Sequence, residues 1–335
     1  MREAAAVRVG GWRVWVPGAG GTAEAATWVA AAERVVAGGC PVHRSKHAET
    51  YRWPAAAGDV YLKVYRRYRH RTAAKDLVRA SKARNVLRLS AQLAAAGFQV
   101  PHVLAAGEER RGRWLRRSWV ATTALDGEPL AEYLATLQAR EVREVPELTS
   151  GTDAHRSTAA PPPRARGLYL THKRALLRAI GAEVARLHGA GFVAGDLVPA
   201  NVWTVARPGG VGIALLDHDR TRAGWMVAPW WRARRNLVQL NRVVLLGITA
   251  TDRLRVYRAY ANGRGWSWRA ARRRLPWVVA KTIERRRRFD RVELPPRARV
   301  SFRELMRAGG PYAPRPVVRT PVHHRGAERG VRCAE

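Results

Sequence analysis

Cysteine is nearly absent: the chain has Cys40 and Cys333 among 335 residues. Two thiols so far apart exclude a disulfide framework and a cysteine-built zinc site, and they fit a reducing compartment. Acid is scarce too. Asp and Glu number 26 against 61 Lys and Arg, giving a net charge of +35. Such a field favours an anionic partner, whether nucleic acid, an acidic membrane surface or a phosphorylated glycan, and charge alone does not choose among them. Long apolar runs are missing as well: no stretch reaches the roughly 18 residues of a membrane span. The opening "MREAAAVRVGGWRVWVPGAGG" lacks the unbroken apolar core of a signal peptide. The expectation is a soluble or peripheral protein. Hydrophobic residues make up an ordinary 47%, and a chain of this length can bury about three quarters of its unfolded surface.

The pattern along the chain divides in two. After an N-terminal extension over 1–40, alternating apolar and β-branched residues predict strands at "PVHRS", "AETYRW", "VYLKVYR", "HVLAAGEER" and "RWLRRSWVATTAL". Between the third and fourth, residues 72–96 read as one long helix closed by Gly97 and Pro101. This small lobe of a five-stranded antiparallel sheet plus one helix spans 41–125. A hinge is placed near 122–127, and a large, mainly helical lobe over 126–312. Residues 141–168, rich in Pro, Ser and Thr, read as a mobile insertion, and 313–335 as a basic tail. Within the large lobe "KRALLRAIGAEVARLHGAGF" carries a helical apolar stripe ended by Gly189 and Gly191. A hairpin follows, "NVWTVA" to "VGIALLDHDR", and then basic helices.

Between that striped helix and the hairpin lies "GFVAGDLVPANVW". It reads as a loop held on rigid scaffold, where polar chemistry is commonly placed. Asp196, Leu197 and Asn201 have the D-L-x-x-x-N spacing of a kinase catalytic loop, in which the Asp faces the acceptor hydroxyl and the Asn holds a metal. A second metal-holding Asp is needed after one hairpin, and Asp217 in "LLDHDR" stands there. A strand Lys is needed much earlier, and "VYLK" supplies Lys63. Each piece alone is weak; in order, each on its expected element, they point to phosphoryl transfer.

Residues 41 to about 262 resemble the lipopolysaccharide kinase family, the kinase-like enzymes that phosphorylate Kdo or heptose in the lipopolysaccharide inner core. The resemblance rests on "VYLKVYRRYR", "LAAAGFQVPHVLAAG", "EVARLHGAGFVAGDLVPANVW", "LLDHDR" and "RRNLVQLNR". It implies an α+β, bilobal protein-kinase-like fold and an ATP- and Mg2+-dependent kinase acting on a sugar hydroxyl. Lys63 would meet the α/β-phosphates, Asp196 the acceptor hydroxyl, and Asn201 with Asp217 the metal; Asp219 and Arg220 are possible accessories. The chain departs from the pattern in places. Ala194 replaces a His usual two residues before the catalytic Asp, and "RSKHAET" occupies the place of a glycine-rich loop. The helix Glu that pairs with the strand Lys is missing, so Asp76 or Glu49 is expected to substitute. Gly195 stands where many regulated protein kinases carry Arg, which argues against control by activation-loop phosphorylation.

After the metal-binding strand comes "GWMVAPWWRARR". Trp225, Trp230 and Trp231 interleaved with Arg232, Arg234 and Arg235 suit a phosphorylated, sugar-bearing lipid at an interface, although two of the rings could equally pack the helix beneath. His188 is expected to pack the helix end rather than act as a base. The implied partners are a lipopolysaccharide or lipid A core acceptor and an anionic membrane, with no specific nucleic acid. The implied place is the cytoplasmic face of the inner membrane. Two alternatives stand beside this: a small-molecule kinase of the aminoglycoside or choline type, and a basic pseudokinase binding anionic lipid or nucleic acid.

Overall fold

A computed structural model of the chain describes residues 5–18, 21–45, 48–55, 58–65, 80–143, 163–207, 210–242 and 248–289. They fall into two compact units, one holding residues up to Asp126 together with Leu215–Arg222, the other Gly127–Ala214 and residues from Ala223.

The first unit is built on an antiparallel sheet of β1 (Ala6–Val9), β2 (Trp12–Trp15), β3 (His43–Arg44), β4 (Ala48–Ala55), β5 (Gly58–Tyr65), β6 (Val103–Arg111) and β7 (Trp114–Thr123). The order is β1-β2-β6-β7-β5-β4-β3. The sheet has seven strands where five were expected, because residues read as an extension supply two of them. The "VRVGGWRVW" segment is a hairpin: two alternating tetrads flank Gly10 at φ +55, a conformation glycine reaches without steric cost. Strand β2 then pairs with β6, Trp15 opposite Ala106.

Both faces of this sheet are covered. Helix α1 (Thr22–Gly38) lays Ala25, Val29 and Ala32 on Trp12, Val14, Tyr51, Leu62 and Trp119. On the other face α2 (Lys82–Ala95) sets Ala83, Val86 and Leu87 against Trp15, Ala48, Tyr65 and Val120. Because successive residues of a strand alternate between faces, Lys63, opposite Val120 and two residues from Tyr65, lies on the α2 face. Helix α2 begins at Lys82, where the Ser81 hydroxyl accepts from the Arg84 amide. The earlier part of the helix expected from residue 72 falls outside the described residues up to 79.

The second unit opens with β8 (Gly127–Pro129), which pairs with β9 (Val202–Arg207), itself beside β10 (Gly210–Leu215) in the order β10-β9-β8. Its helices are α3 (Leu130–Arg143), α4 (Pro163–Gly189), α5 (Trp230–Arg242), α6 (Ala250–Gly263) and α7 (Trp268–Phe289). Helices α4 and α6 approach closely because small residues meet there: a Cβ on Gly181 would lie 2.3 Å from the Val256 carbonyl oxygen. Thr249 and Asp252 start α6 with a reciprocal capping box. Of the expected insertion over 141–168, residues 144–162 lie outside the described residues, as does the basic tail. Among the described residues no helix is long and apolar enough to cross a membrane.

Candidate active site

In the first unit Lys63 and Asp217 meet. The Lys63 ammonium lies 2.7 Å from Asp217 Oδ1, and both side chains are about one-third exposed, at 27% and 34%. Asp217 follows strand β10 and takes φ 59, ψ 67, the single left-handed non-glycine backbone among the described residues. That conformation costs energy for a residue with a Cβ and persists where the surroundings hold it. The 3₁₀ turn after it, His218–Arg220, provides the hold. His218 is buried and its Nε2–H donates to the Leu215 carbonyl at 2.9 Å. Burial takes the His218 pKa down to about 4, so the ring is neutral.

Two carboxylates had been expected as partners of Lys63. Asp76 lies outside the described residues. Glu49 is opposite Val64, one residue out of step with Lys63, and so belongs to the other face of the sheet. There it accepts from Tyr51 Oη at 3.0 Å and pairs with Arg44 at 2.9 Å. The strand lysine is therefore met by Asp217. Asp219 pairs with Lys82 at 3.3 Å, and Arg220 is exposed.

The second unit carries the loop. Helix α4 ends at Gly189, and Gly191, at φ +80, is required by space as well as conformation: a Cβ there would lie 1.7 Å from the Trp225 carbonyl oxygen. Val193, Leu197 and Pro199 are buried and anchor the loop, leaving Asp196 exposed between them. Pro199 starts a 3₁₀ turn ending at Asn201, whose Nδ2 donates to the Asp196 carbonyl at 2.9 Å. With its nitrogen so engaged, Asn201 has Oδ1 left for a metal.

Two amides from α5 fix this loop, and sequence reasoning missed both. Asn236 clamps Ala194 on both sides, its Oδ1 accepting from the Ala194 amide at 3.0 Å and its Nδ2 donating to the Ala194 carbonyl at 2.8 Å. Gln239 Nε2 donates to the Gly195 carbonyl at 3.1 Å and to Asp196 Oδ1 at 3.2 Å, while its Oε1 accepts from the Leu197 amide at 3.2 Å. Their spacing of three places them on one face of the helix. Behind Asn236 stands His188, fully buried, its Nε2 donating to Asn236 Oδ1 and its Nδ1 accepting from Tyr260 Oη, both at 3.0 Å. Burial lowers the His188 pKa to about 4, so this relay works with a neutral ring. The His absent at position 194 is thus compensated from α4 and α5. The signal was the "RNLVQLNR" string, which carried the resemblance without revealing what its amides bind.

The tryptophans divide. Trp225 is half-buried, its carbonyl beneath Gly191. Trp230 packs edge-on against Trp266, ring centroids 5.2 Å apart, and Trp266 against Tyr260. Trp231 is 50% exposed, with the Arg232 guanidinium 4.0 Å above its ring. Arg234 stacks on Trp277 at 3.9 Å, and Arg235 is exposed. Next to them Met226 is 96% and Val227 53% exposed.

A magnesium ion takes one or two carboxylates and completes its shell with water and phosphate oxygens. Asp217 in the first unit and Asn201 in the second each carry an oxygen donor of that kind. Among the described residues no group of three or more His, Cys, Asp or Glu side chains forms a self-sufficient metal cage.

Known proteins bear on this arrangement. Residues 164–260 match the model of the lipopolysaccharide kinase (Kdo/WaaP) family, so the resemblance read in the sequence holds over the segment that carries the loop and Asp217. A solved structure of WaaP in complex with acyl carrier protein matches with a TM-score of 0.52 at 21% identity, over 76% of this chain and 92% of that one. The chain therefore has a protein-kinase-like fold. Two other kinase domains match with lower TM-scores. The Toxoplasma gondii rhoptry antigen kinase domain has a TM-score of 0.33 and 15% identity over 55% of this chain and 49% of its own. A double mutant of the Mycobacterium tuberculosis PknI kinase domain has 0.32 and 17% over 78% and 77%. No curated protein matches.

Proposed function

We propose that the protein is an ATP-dependent kinase that phosphorylates a sugar hydroxyl, of Kdo or heptose, in the lipopolysaccharide inner core. The observation that carries this reading is the loop at Asp196: an exposed carboxylate oriented by the Gln239 amide, with Asn201 tied to the same peptide. A scaffold has no use for so constrained an acid. Bound ATP with Mg2+ would supply the phosphoryl group and neutralise the phosphate charge. Asp196 holds the acceptor hydroxyl and takes its proton as the acceptor oxygen bonds to the γ-phosphorus and the bond to the β,γ-bridging oxygen breaks, releasing ADP. Asn201 and Asp217 would offer oxygens to the metal, and Lys63, now paired with Asp217, would offer its ammonium to the α/β-phosphates.

The acceptor is placed at an anionic membrane, on the cytoplasmic face of the inner membrane. The chain near Met226 is pinned at both ends, by Trp225 under Gly191 and by the Ala228 amide donating to the His188 carbonyl at 2.7 Å. Met226 and Val227 project from between these pins, and Trp231 with Arg232 follows. Apolar tips beside stacked cations suit an interface of acyl chains and phosphate heads. Trp230, packed inward, supports the ring of Trp266 rather than the lipid.

Mass spectrometry of lipopolysaccharide from cells with and without the protein tests the reading. A core phosphate present only with the protein is expected; identical cores would refute it. In the purified protein Asp196→Ala should lower turnover by roughly two to four orders of magnitude with little change in nucleotide affinity, whereas Asp217→Ala should also weaken Mg2+-nucleotide binding.

A further inference from the structure

Protein kinases set the strand Lys by pairing it with a Glu on the neighbouring helix. Helix α2, "KARNVLRLSAQLAA", contains no acid, yet it is tied to the metal-binding segment by another route. The Lys82 ammonium lies 3.3 Å from Asp219 Oδ2. One turn along the same face, Asn85 Nδ2 donates to the Asp219 carbonyl at 3.0 Å. Arg88 Nη2 donates to Asn85 Oδ1 at 3.2 Å, which fixes which way that amide faces.

We propose that Asp219, gripped by Lys82 and Asn85, is a positioning residue that replaces the missing helix carboxylate with the charges reversed: the cation on the helix, the acid on the metal-binding segment. This rests on the kinase reading of the site.

Three observations favour a dedicated link over a chance surface pair. Lys82 is the first residue of α2, where the helix dipole opposes a cation. A carboxylate set there offsets both the ammonium and the positive helix end, and the Asp219 side chain is 12% exposed against 37% for Lys82, so the carboxylate is the partner shielded from water. The Tyr65 ring lies beneath both ammonium groups, with Lys63 Nζ 5.5 Å and Lys82 Nζ 5.3 Å from its centroid, so the two lysine–aspartate pairs share one platform. Finally, Asp217 holds a left-handed backbone two residues before Asp219, and a strained backbone needs neighbours that over-determine it. The link to α2 supplies one.

The consequence differs from that of a lysine–glutamate pair. Helix α2 acts here on the metal ligand rather than on the phosphate-binding lysine. Breaking the link should loosen Mg2+-nucleotide binding and spare the chemical step once the site is saturated.

The test compares Lys82→Ala, Asp219→Asn, their double variant and the reversal Lys82→Asp/Asp219→Lys. Affinity for ATP is measured by calorimetry with and without Mg2+, kcat at saturating nucleotide, and amide exchange of residues 215–222 in the free protein. Each single variant is expected to weaken Mg2+-ATP binding about 10-fold, the order seen when a partner of a metal ligand is removed. The double variant should be no worse than either single one, the reversal should recover part of the loss, and kcat should hold within about twofold while exchange of the segment speeds up. Unchanged affinity, additive losses, or equal losses with and without Mg2+ would overturn the proposal while wild-type binding upheld the kinase reading. A wild type that binds no Mg2+-ATP would instead overturn that reading, and the positioning role with it.

Discussion

Gln239 touches the carboxylate to which the proposed function gives the chemistry, and its removal should be felt in rate before it is felt in folding. Gln239→Ala removes one hydrogen bond to Asp196 Oδ1 and one to each of two loop peptides. We expect kcat to fall roughly tenfold, about 1.4 kcal/mol of lost orientation, with the KM for ATP little changed; steady-state kinetics on the purified variant decides it. The two buried histidines set a pH dependence of stability. Each has a folded pKa of about 4 against about 6.5 unfolded, so between these values the unfolded chain binds more protons. Stability is therefore complete above about pH 6.5 and is lost as pH falls towards 4, by up to about 3 kcal/mol for each ring. Thermal unfolding followed across that range should show the decline, and a flat profile would mean that the rings are protonated or solvated in the folded state. At this scale the sequence was legible where spacing along the chain places a residue on its element, as for Asp196 and Asn201 on the loop after the striped helix and Asp217 after the hairpin. It was silent on Asn236 and Gln239, because an amide's role depends on which peptide a distant loop brings to it.

Strands β1 and β2 and helix α1 show how element roles can be misjudged from pattern. Four-residue strands separated by Gly10-Gly11 are too short to stand out beside the eight-residue β4 and β5, and an Ala-rich helix carries a weak apolar stripe. Their worth lies in tertiary pairing: β2 extends the sheet past β6, and α1 covers Trp119 and Leu62. Deleting residues 1–40 should consequently unfold the first unit rather than trim it, which loss of the cooperative thermal transition would reveal; an unaltered transition would return these residues to the status of an extension. A finer probe is Gly107. A Cβ there would lie 2.5 Å from the Trp119 indole, so Gly107→Ala should cost about 1–3 kcal/mol by overpacking, measured by denaturant unfolding. Register explains the other misjudgement. A single step along β4 places Glu49 on the α1 face and Thr50 opposite Lys63, and pairing register is not visible from one strand's own sequence.

At the scale of the whole molecule the proposed function gives the charge of +35 the task of finding the acceptor. Each Lys or Arg near an anionic membrane adds about 1 kcal/mol, and the attraction fades over a Debye length of about 8 Å at physiological salt. Binding to acidic vesicles should weaken steeply with salt and leave a residue that salt does not remove, carried by Met226, Val227 and Trp231. The triple change to Ser should abolish that residue in co-sedimentation while ATP hydrolysis without acceptor stays within about twofold; equal losses in both would place these side chains in the fold instead. Composition made the charge legible from the start, but which apolar side chains face outward among so many arginines depends on packing that composition does not carry. The central claim is phosphoryl transfer to lipopolysaccharide by the Asp196 loop. Its most direct measurement is transfer of label from γ-labelled ATP to purified lipopolysaccharide by the wild-type protein and by Asp196→Ala. The account expects Mg2+-dependent labelling of the inner-core sugar by the wild type and almost none by the variant; labelling that is absent from both, or equal in both, would contradict it.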